Sequence, residues 1–138
     1  MTSELTPDKN PTTRINTKFK RGAQAEPAGI ELFFRGDKYQ IAAEALPFSI
    51  GRDHSCQLVI DSGVVSRVHC ALELRDGQIG LLDQSTNGTS VRSGRAGSVI
   101  VKDKFYPLAG RGSIQLGAEV KLDDPDVILF KIVGSGDD

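Results

Sequence analysis

The sequence predicts an all-β domain on three observations: short apolar runs that alternate with polar residues, turn residues between nearly all of them, and only one brief helix-favouring stretch. Ile30 to Phe34 and Lys38 to Ile41 are the first two candidate strands. Ala42 to Leu46 favours helix but is cut off by Pro47, well short of the roughly 12 residues an isolated helix wants. Phe48 to Gly51 and Leu58 to Ile60 follow as strands. Next, Val68, Cys70, Leu72 and Leu74 alternate with His69, Ala71, Glu73 and Arg75, the period of two expected when one face of a strand is buried. Asp76-Gly77 punctuates before Gln78 to Asp83 resumes, which reads as a hairpin. Thr89 to Val91, Ser98 to Val101, Ser113 to Leu116, Val120 to Leu122 and Val127 to Val133 complete the set. Many short strands at this spacing fit a sandwich or a closed barrel, and periodicity alone does not choose between them. No internal repeat is present.

With 138 residues, 38% of them hydrophobic, the chain can bury one core of ordinary size. Residues 1–27 are rich in Thr, Pro, Asn and Lys without apolar period, which predicts a flexible N-terminal tail. The expected domain spans 28–134, and 135–138 reads as a C-terminal tail. Seventeen basic residues nearly cancel eighteen acidic ones, so no broad field favours nucleic acid or membrane, and any charge selectivity must be local. No apolar run approaches the roughly 20 residues of a membrane span. The N-terminus lacks the apolar segment of a secretory signal, so a cytoplasmic location is expected. Cys56 and Cys70 have neither the pairing of a redox motif nor the companions of a zinc site, and are expected to be reduced, with Cys70 a small core residue.

In sandwiches, the loops at one end are free to specialise because the strands hold them. Three such loops carry chemistry: Gly51-Arg52 at the end of one strand, Ser66-Arg67-Val68-His69 at the start of another, and Ser85-Thr86-Asn87-Gly88-Thr89 between two more. Singly, each has a plain structural explanation. Gly-Arg after a strand is ordinarily a turn with a solvated cation, Asn-Gly is a common tight-turn signal, and a neighbouring Ser or Thr can cap the turn. His69, opposite the apolar stripe, fits a buried histidine bonded to backbone.

Together and in this order, glycine-arginine, serine-x-x-histidine and Asp-x-Ser-Thr-Asn-Gly-Thr resemble the forkhead-associated family. The resemblance covers roughly residues 29–133, with 48–93 the specific part. It implies an eleven-stranded sandwich of two sheets whose loops at one end bind a phosphothreonine peptide. It also implies that Asn87 pairs with peptide main chain, while His69 and Ser85 brace the loops from within.

Elementary chemistry of the same residues is compatible with that implication. A phosphoryl group carries about −1.5 to −2 charges and three acceptor oxygens, so its reader must converge several donors. Arg52 offers a planar, permanently charged fork. Ser66 and Thr86 add hydroxyls, and Arg67 adds a backbone N–H and its side chain. The Asn87 amide has a donor and an acceptor suited to an extended backbone. Gly51 and Gly88 keep side chains away where the chain bends sharply. The family's preference for phosphothreonine over phosphoserine rests on enclosing one methyl, worth on the order of 0.8 kcal/mol, rising to about 1–3 in a tight pocket. Val64 and Val65, just before Ser66, point to an apolar preference in the peptide beyond the phosphothreonine.

Thr6, Thr12, Thr13 and Thr17 lie in the expected tail near Arg14, Lys18, Lys20 and Arg21, as acceptors for an upstream Ser/Thr kinase would. A flexible linker of about 16 residues spans roughly 22 Å, enough to reach across a domain whose radius of gyration is about 13 Å. The domain could thus capture its own phosphorylated tail. An enzyme would need a nucleophile with its base, a carboxylate pair or a metal cluster. With only His54 and His69 present, and Asp61, Asp76 and Asp83 reading as strand-end residues, no catalysis, metal or cofactor is expected. The alternative function is a scaffold of the same family that binds a partner or itself through a sheet face, independently of phosphate. A nucleic-acid-binding barrel is disfavoured by the near-zero net charge and the sparse aromatics, two Tyr and six Phe.

Overall fold

The computed structural model describes residues 26–95 and 97–134. The expected phosphoacceptors Thr6, Thr12, Thr13 and Thr17, and the expected C-terminal tail, lie outside them. Eleven strands follow in order: β1 (Pro27–Phe34), β2 (Asp37–Ala42), β3 (Phe48–Gly51), β4 (Leu58–Val59), β5 (Cys70–Arg75), β6 (Gln78–Asp83), β7 (Thr89–Ser93), β8 (Ser98–Val101), β9 (Phe105–Pro107), β10 (Arg111–Leu116) and β11 (Ile128–Gly134). The helix-favouring stretch makes a single 3-10 turn, Ala43–Ala45, between β2 and β3.

These strands form two sheets, one of six in the order β2-β1-β11-β10-β7-β8 and one of five in the order β9-β6-β5-β3-β4. The expected sandwich is therefore present. In the five-stranded sheet β3 and β4 run parallel, with Ile50 opposite Leu58, and the other neighbours run antiparallel. Two hairpins turn on residue pairs with positive φ, Arg35-Gly36 (52° and 84°) and Asp76-Gly77 (51° and 77°). Such turns match the right-handed twist of the strands they join. Asp76-Gly77 was legible in the sequence; Arg35-Gly36 does the same between β1 and β2, where Phe34 pairs with Asp37.

The core lies between the sheets. Ile30, Leu32, Ile114, Ile128 and Phe130 from the six-stranded sheet meet Ile50, Leu72, Ile79 and Leu81 from the other. Alternation fails locally where the architecture overrides it. Val68 and Leu74, at the two ends of the predicted apolar stripe, are exposed, whereas His69 on the opposite face is fully buried.

Val120 to Leu122 makes no strand. The Asp124 N–H folds back to the Lys121 carbonyl and the Val127 N–H to that of Asp124, so this stretch spends its backbone bonds on turns. Conversely, the three-residue β9 was not legible, because it ends in Pro107. It occupies a sheet edge beside β6, where Phe105 pairs with Leu82 and Pro107 with Gly80, and an edge tolerates proline.

Candidate functional site

Three loops meet at the ends of β3, β5 and β7. The first, after Gly51, is tied to the second by backbone bonds from Arg52 N–H to the Ser66 carbonyl and from Asp53 N–H to that of Arg67, both 3.0 Å. Gly51 is required by close approach rather than by turn conformation, since a Cβ there would overlap the Arg67 carbonyl oxygen. The Arg52 side chain follows the same path, its Nε donating to the Val65 carbonyl at 2.9 Å. That bond fixes the guanidinium by one edge and leaves its two terminal nitrogens for another acceptor. The Cys56 thiol donates to the Arg67 carbonyl at 3.3 Å, tightening the same junction.

The third loop joins the second through a bond between residues twenty apart, Thr86 N–H to Ser66 Oγ at 3.0 Å. Because this oxygen accepts from Thr86, the Ser66 hydroxyl proton is left to donate outward. Asn87 Nδ2 donates to the Val64 carbonyl at 3.1 Å, which leaves its side-chain carbonyl as an acceptor. Arg52, Arg67, Thr86 and Asn87 are exposed and Ser66 half-buried, so the donors line an open shelf rather than a cavity.

Beneath the shelf lies a buried polar scaffold. Ser66 N–H donates to His69 Nδ1 at 3.0 Å, so that nitrogen carries no proton. The opposite nitrogen, Nε2, then donates to the Gly88 carbonyl at 2.8 Å. Burial holds the imidazole below its ordinary pKa, against the Gly88 bond and the nearby Asp83 charge, which favour the cation. The ring is therefore neutral and bridges the second loop to the third. Gly88 has φ of +84°, which a glycine adopts without strain, and its N–H donates to Ser85 Oγ at 2.7 Å.

Ser85 in turn hangs from Asp83, with Oγ donating to Oδ1 at 2.7 Å and N–H to Oδ2 at 3.2 Å. Thr89 Oγ1 donates to Oδ1 at 2.8 Å and Asp103 N–H to Oδ2 at 2.9 Å. Desolvation opposes the charge on Asp83, but these donors outweigh it and lower the pKa. The sequence reading placed Asp83 at a strand end as a turn residue. It is instead a buried carboxylate that organises the whole third loop, and its signal was its place two residues before Ser85 in Asp-x-Ser-Thr-Asn-Gly-Thr. Lys102 is a further residue without a sequence cue: its ammonium donates to the Ser85 carbonyl at 3.0 Å.

The sequence profile of the FHA domain matches residues 48–117, just over half of the chain and the region holding all three loops. The chain belongs to the FHA domain family. Solved FHA domains share the fold. The FHA-1 domain of Mycobacterium tuberculosis Rv1747 is 20% identical, covering 78% of this chain and 98% of its own, with a TM-score of 0.56. The N-terminal FHA domain of S. cerevisiae Rad53p, in complex with a phosphothreonine peptide, is 18% identical over 78% of this chain and 94% of its own, with a TM-score of 0.57. The MEK1 FHA domain, bound to a phosphothreonine peptide of HOP1, is 24% identical over 76% and 97%, with a TM-score of 0.59. No curated protein sequence matches the chain.

All nine residues singled out from sequence in this FHA domain thus fall on one end of the sandwich. Arg52, Ser66, Arg67, Thr86 and Asn87 sit on the shelf, and Gly51, His69, Ser85 and Gly88 beneath or beside it. Beyond Asp83 and Lys102, sequence reasoning also missed the carbonyls of Val64 and Val65, which hold Asn87 and Arg52 in place. Backbone acceptors carry no residue-type signal, so nothing in the sequence marked them.

Proposed function

We propose that this FHA domain is a phosphothreonine-dependent interaction module in which the phosphate rests on Arg52, Ser66, Arg67 and Thr86, and Asn87 pairs with the peptide main chain. The observation that carries this reading is the bond from Thr86 N–H to Ser66 Oγ, beside an Arg52 anchored by Nε. It gathers hydroxyl and guanidinium donors from three loops on one open shelf. A donor set with its own acceptors already supplied by backbone has no structural use for its outward hydrogens, whereas a phosphate dianion uses all of them. A binding module rather than an enzyme is the natural office of such a site, since His69, the imidazole beneath the shelf, is neutral, buried and committed at both nitrogens.

The partner is a phosphorylated protein made by an upstream Ser/Thr kinase, and the chain's own tail, through Thr6, Thr12, Thr13 or Thr17, is one such ligand. The free, buried Cys56 and Cys70 suit a reducing compartment, in keeping with a cytoplasmic location. Among the described residues no helix is long and apolar enough to cross a membrane.

The test is an oriented phosphothreonine library followed by titration of the selected peptide. Each hydrogen bond to a charged group is worth about 1.5–3 kcal/mol, so Arg52→Ala and Ser66→Ala are expected to lose about ten- to a hundredfold in affinity while remaining folded. Equal affinity of the dephosphorylated peptide would refute the reading.

A further inference from the structure

Away from the loops, the face of the six-stranded sheet turned from the core carries an unusual register. Along β10 and β11 the residues facing the core are Ile114, Ile128 and Phe130, so Arg111 and Lys131 face the other way. They are directly opposite each other in the ladder. Directly opposed side chains stand about 4.5–5.5 Å apart at Cβ, and like charges in that position destabilise a sheet. Arg92 adds a third cation on the adjoining strand, paired with Ser113 two residues from Arg111, a diagonal separation of about 7–8 Å. Among the described residues none of the three makes a close ion pair, and only Lys131 feels a carboxylate, the Glu31 side chain of the neighbouring strand.

The same face exposes apolar surface. Phe33 on β1 and Leu129 on β11 are 38% and 43% exposed, and Leu122 of the connection between β10 and β11 is 64% exposed. Together with the cations they line a shallow groove of about 640 Å³. One acid, Glu31, also lines it, but Lys38 lies 3.5 Å from its carboxylate and Gln40 Nε2 donates to it at 3.2 Å. That carboxylate is bound by Lys38 and Gln40 and offsets Lys131 only in part, so with Arg92 and Arg111 the groove keeps a net positive charge over an apolar floor.

We propose that this groove is a second, phosphate-independent docking surface for an acidic peptide segment that carries apolar side chains. The carboxylates of such a segment would bridge Arg111, Lys131 and Arg92 and relieve their repulsion, while its apolar residues cover Phe33, Leu129 and Leu122. The dimensions favour a peptide over other polyanions. The cations span three adjacent strands only, on the order of 10 Å at strand spacing, too compact to track a nucleic-acid backbone. One face of the Phe33 ring is taken by Lys38, whose ammonium is 5.8 Å from its centroid, so the ring keeps exposed surface for an aliphatic side chain but is a poor stacking platform for a base.

The surface lies apart from Arg52, Ser66, Thr86 and Asn87, so its test is independent of the phosphothreonine reading. An unphosphorylated ten-residue peptide alternating Glu and Leu would be titrated into the full chain and followed by amide chemical shifts, in parallel with a Lys and Leu alternant, anionic phosphatidylserine vesicles and a single-stranded RNA oligomer. The expected result is saturable binding of the acidic peptide alone, with shifts confined to β1, β7, β10 and β11. Arg111→Glu with Lys131→Glu should weaken it about tenfold or more, leaving phosphopeptide affinity unchanged. The single variant Arg111→Glu should raise Tm, because it sets a carboxylate directly opposite Lys131 and diagonal to Arg92 in place of a repelling cation. No binding of the acidic peptide, binding that survives the double charge reversal, preferential binding of vesicles or RNA, or a lowered Tm for Arg111→Glu would each overturn the proposal.

Discussion

Ser66 and Gly88 are joined through one side chain: His69 accepts from Ser66 N–H on Nδ1 and donates to the Gly88 carbonyl from Nε2. Both bonds require the neutral ring, since a protonated Nδ1 would turn a donor toward the Ser66 N–H. Stability is therefore linked to pH. Burial lowers the folded pKa of His69 below its unfolded value, so as pH falls through about 6.5 the unfolded chain takes up a proton that the folded chain refuses. Stability is complete above that value and declines below it. Urea midpoints measured without ligand should fall between pH 7.5 and 5.5, and the fall should be absent in His69→Gln. A flat profile for the wild-type chain would show that the imidazole does not bridge the loops.

Asp83 gives the opposite end of the titration. Its four donors lower its pKa despite desolvation, so the stabilisation it supplies is present above the ordinary aspartate range and lost as pH falls through the lower, folded value. Asp83→Ala would leave Ser85 N–H, Ser85 Oγ, Thr89 Oγ1 and Asp103 N–H without acceptors. A buried unsatisfied group costs about 1–3 kcal/mol, so a loss of at least ~2 kcal/mol by chemical denaturation is expected. Because Ser85 then releases Gly88, phosphopeptide affinity should fall as well, although Asp83 lies beneath the shelf.

Arg52→Lys separates charge from geometry. Arginine can hold the Val65 carbonyl with Nε while presenting its terminal nitrogens elsewhere. Lysine has one nitrogen for both tasks. Calorimetric titration should show most of the loss of Arg52→Ala, about tenfold or more, despite the retained cation. Wild-type affinity in Arg52→Lys would mean that a point charge suffices at this position.

The fold was legible where chemistry is local and obscure where it is not. Alternation and turn pairs such as Asp76-Gly77 identified most strands, because a strand facing one core repeats every two residues whatever its partner. Val120 to Leu122 misled for the same reason: Val120 and Leu122 on either side of Lys121 carry the strand alternation, and only the turn bonds of Asp124 and Val127 exclude it. β9 was invisible because its strand-favouring Phe105-Tyr106 pair is cut short by Pro107, and it becomes a strand only by pairing with β6. At the site, residue type and order singled out the loops of Arg52, Ser66 and Thr86, and the structure brings those three loops together. Asp83 was marked only by its place before Ser85, because the same aspartate serves a turn or a buried anchor, and the positions of Thr89 and Asp103 decide between the two.

Gly51 and Gly63 both lie outside the positive-φ region, so alanine strains neither through backbone conformation. They differ in their surroundings. A Cβ at Gly51 would overlap the Arg67 carbonyl oxygen and crowd His69 N, both of them backbone that cannot swing aside, whereas at Gly63 it would meet open space. Gly51→Ala must therefore push β3 away from the second loop, disturbing the Asp53 N–H bond to Arg67 and the His69 N–H bond to Ile50. Overpacking of this kind costs about 1–3 kcal/mol, and the displaced Arg52 should lose phosphopeptide affinity in the same variant. Gly63→Ala should be neutral, or stabilising by about 0.4–1 kcal/mol through the lower entropy of its unfolded chain. Thermal melts and peptide titrations on the two variants check both statements together; equal behaviour would remove close backbone approach as the reason for glycine at position 51.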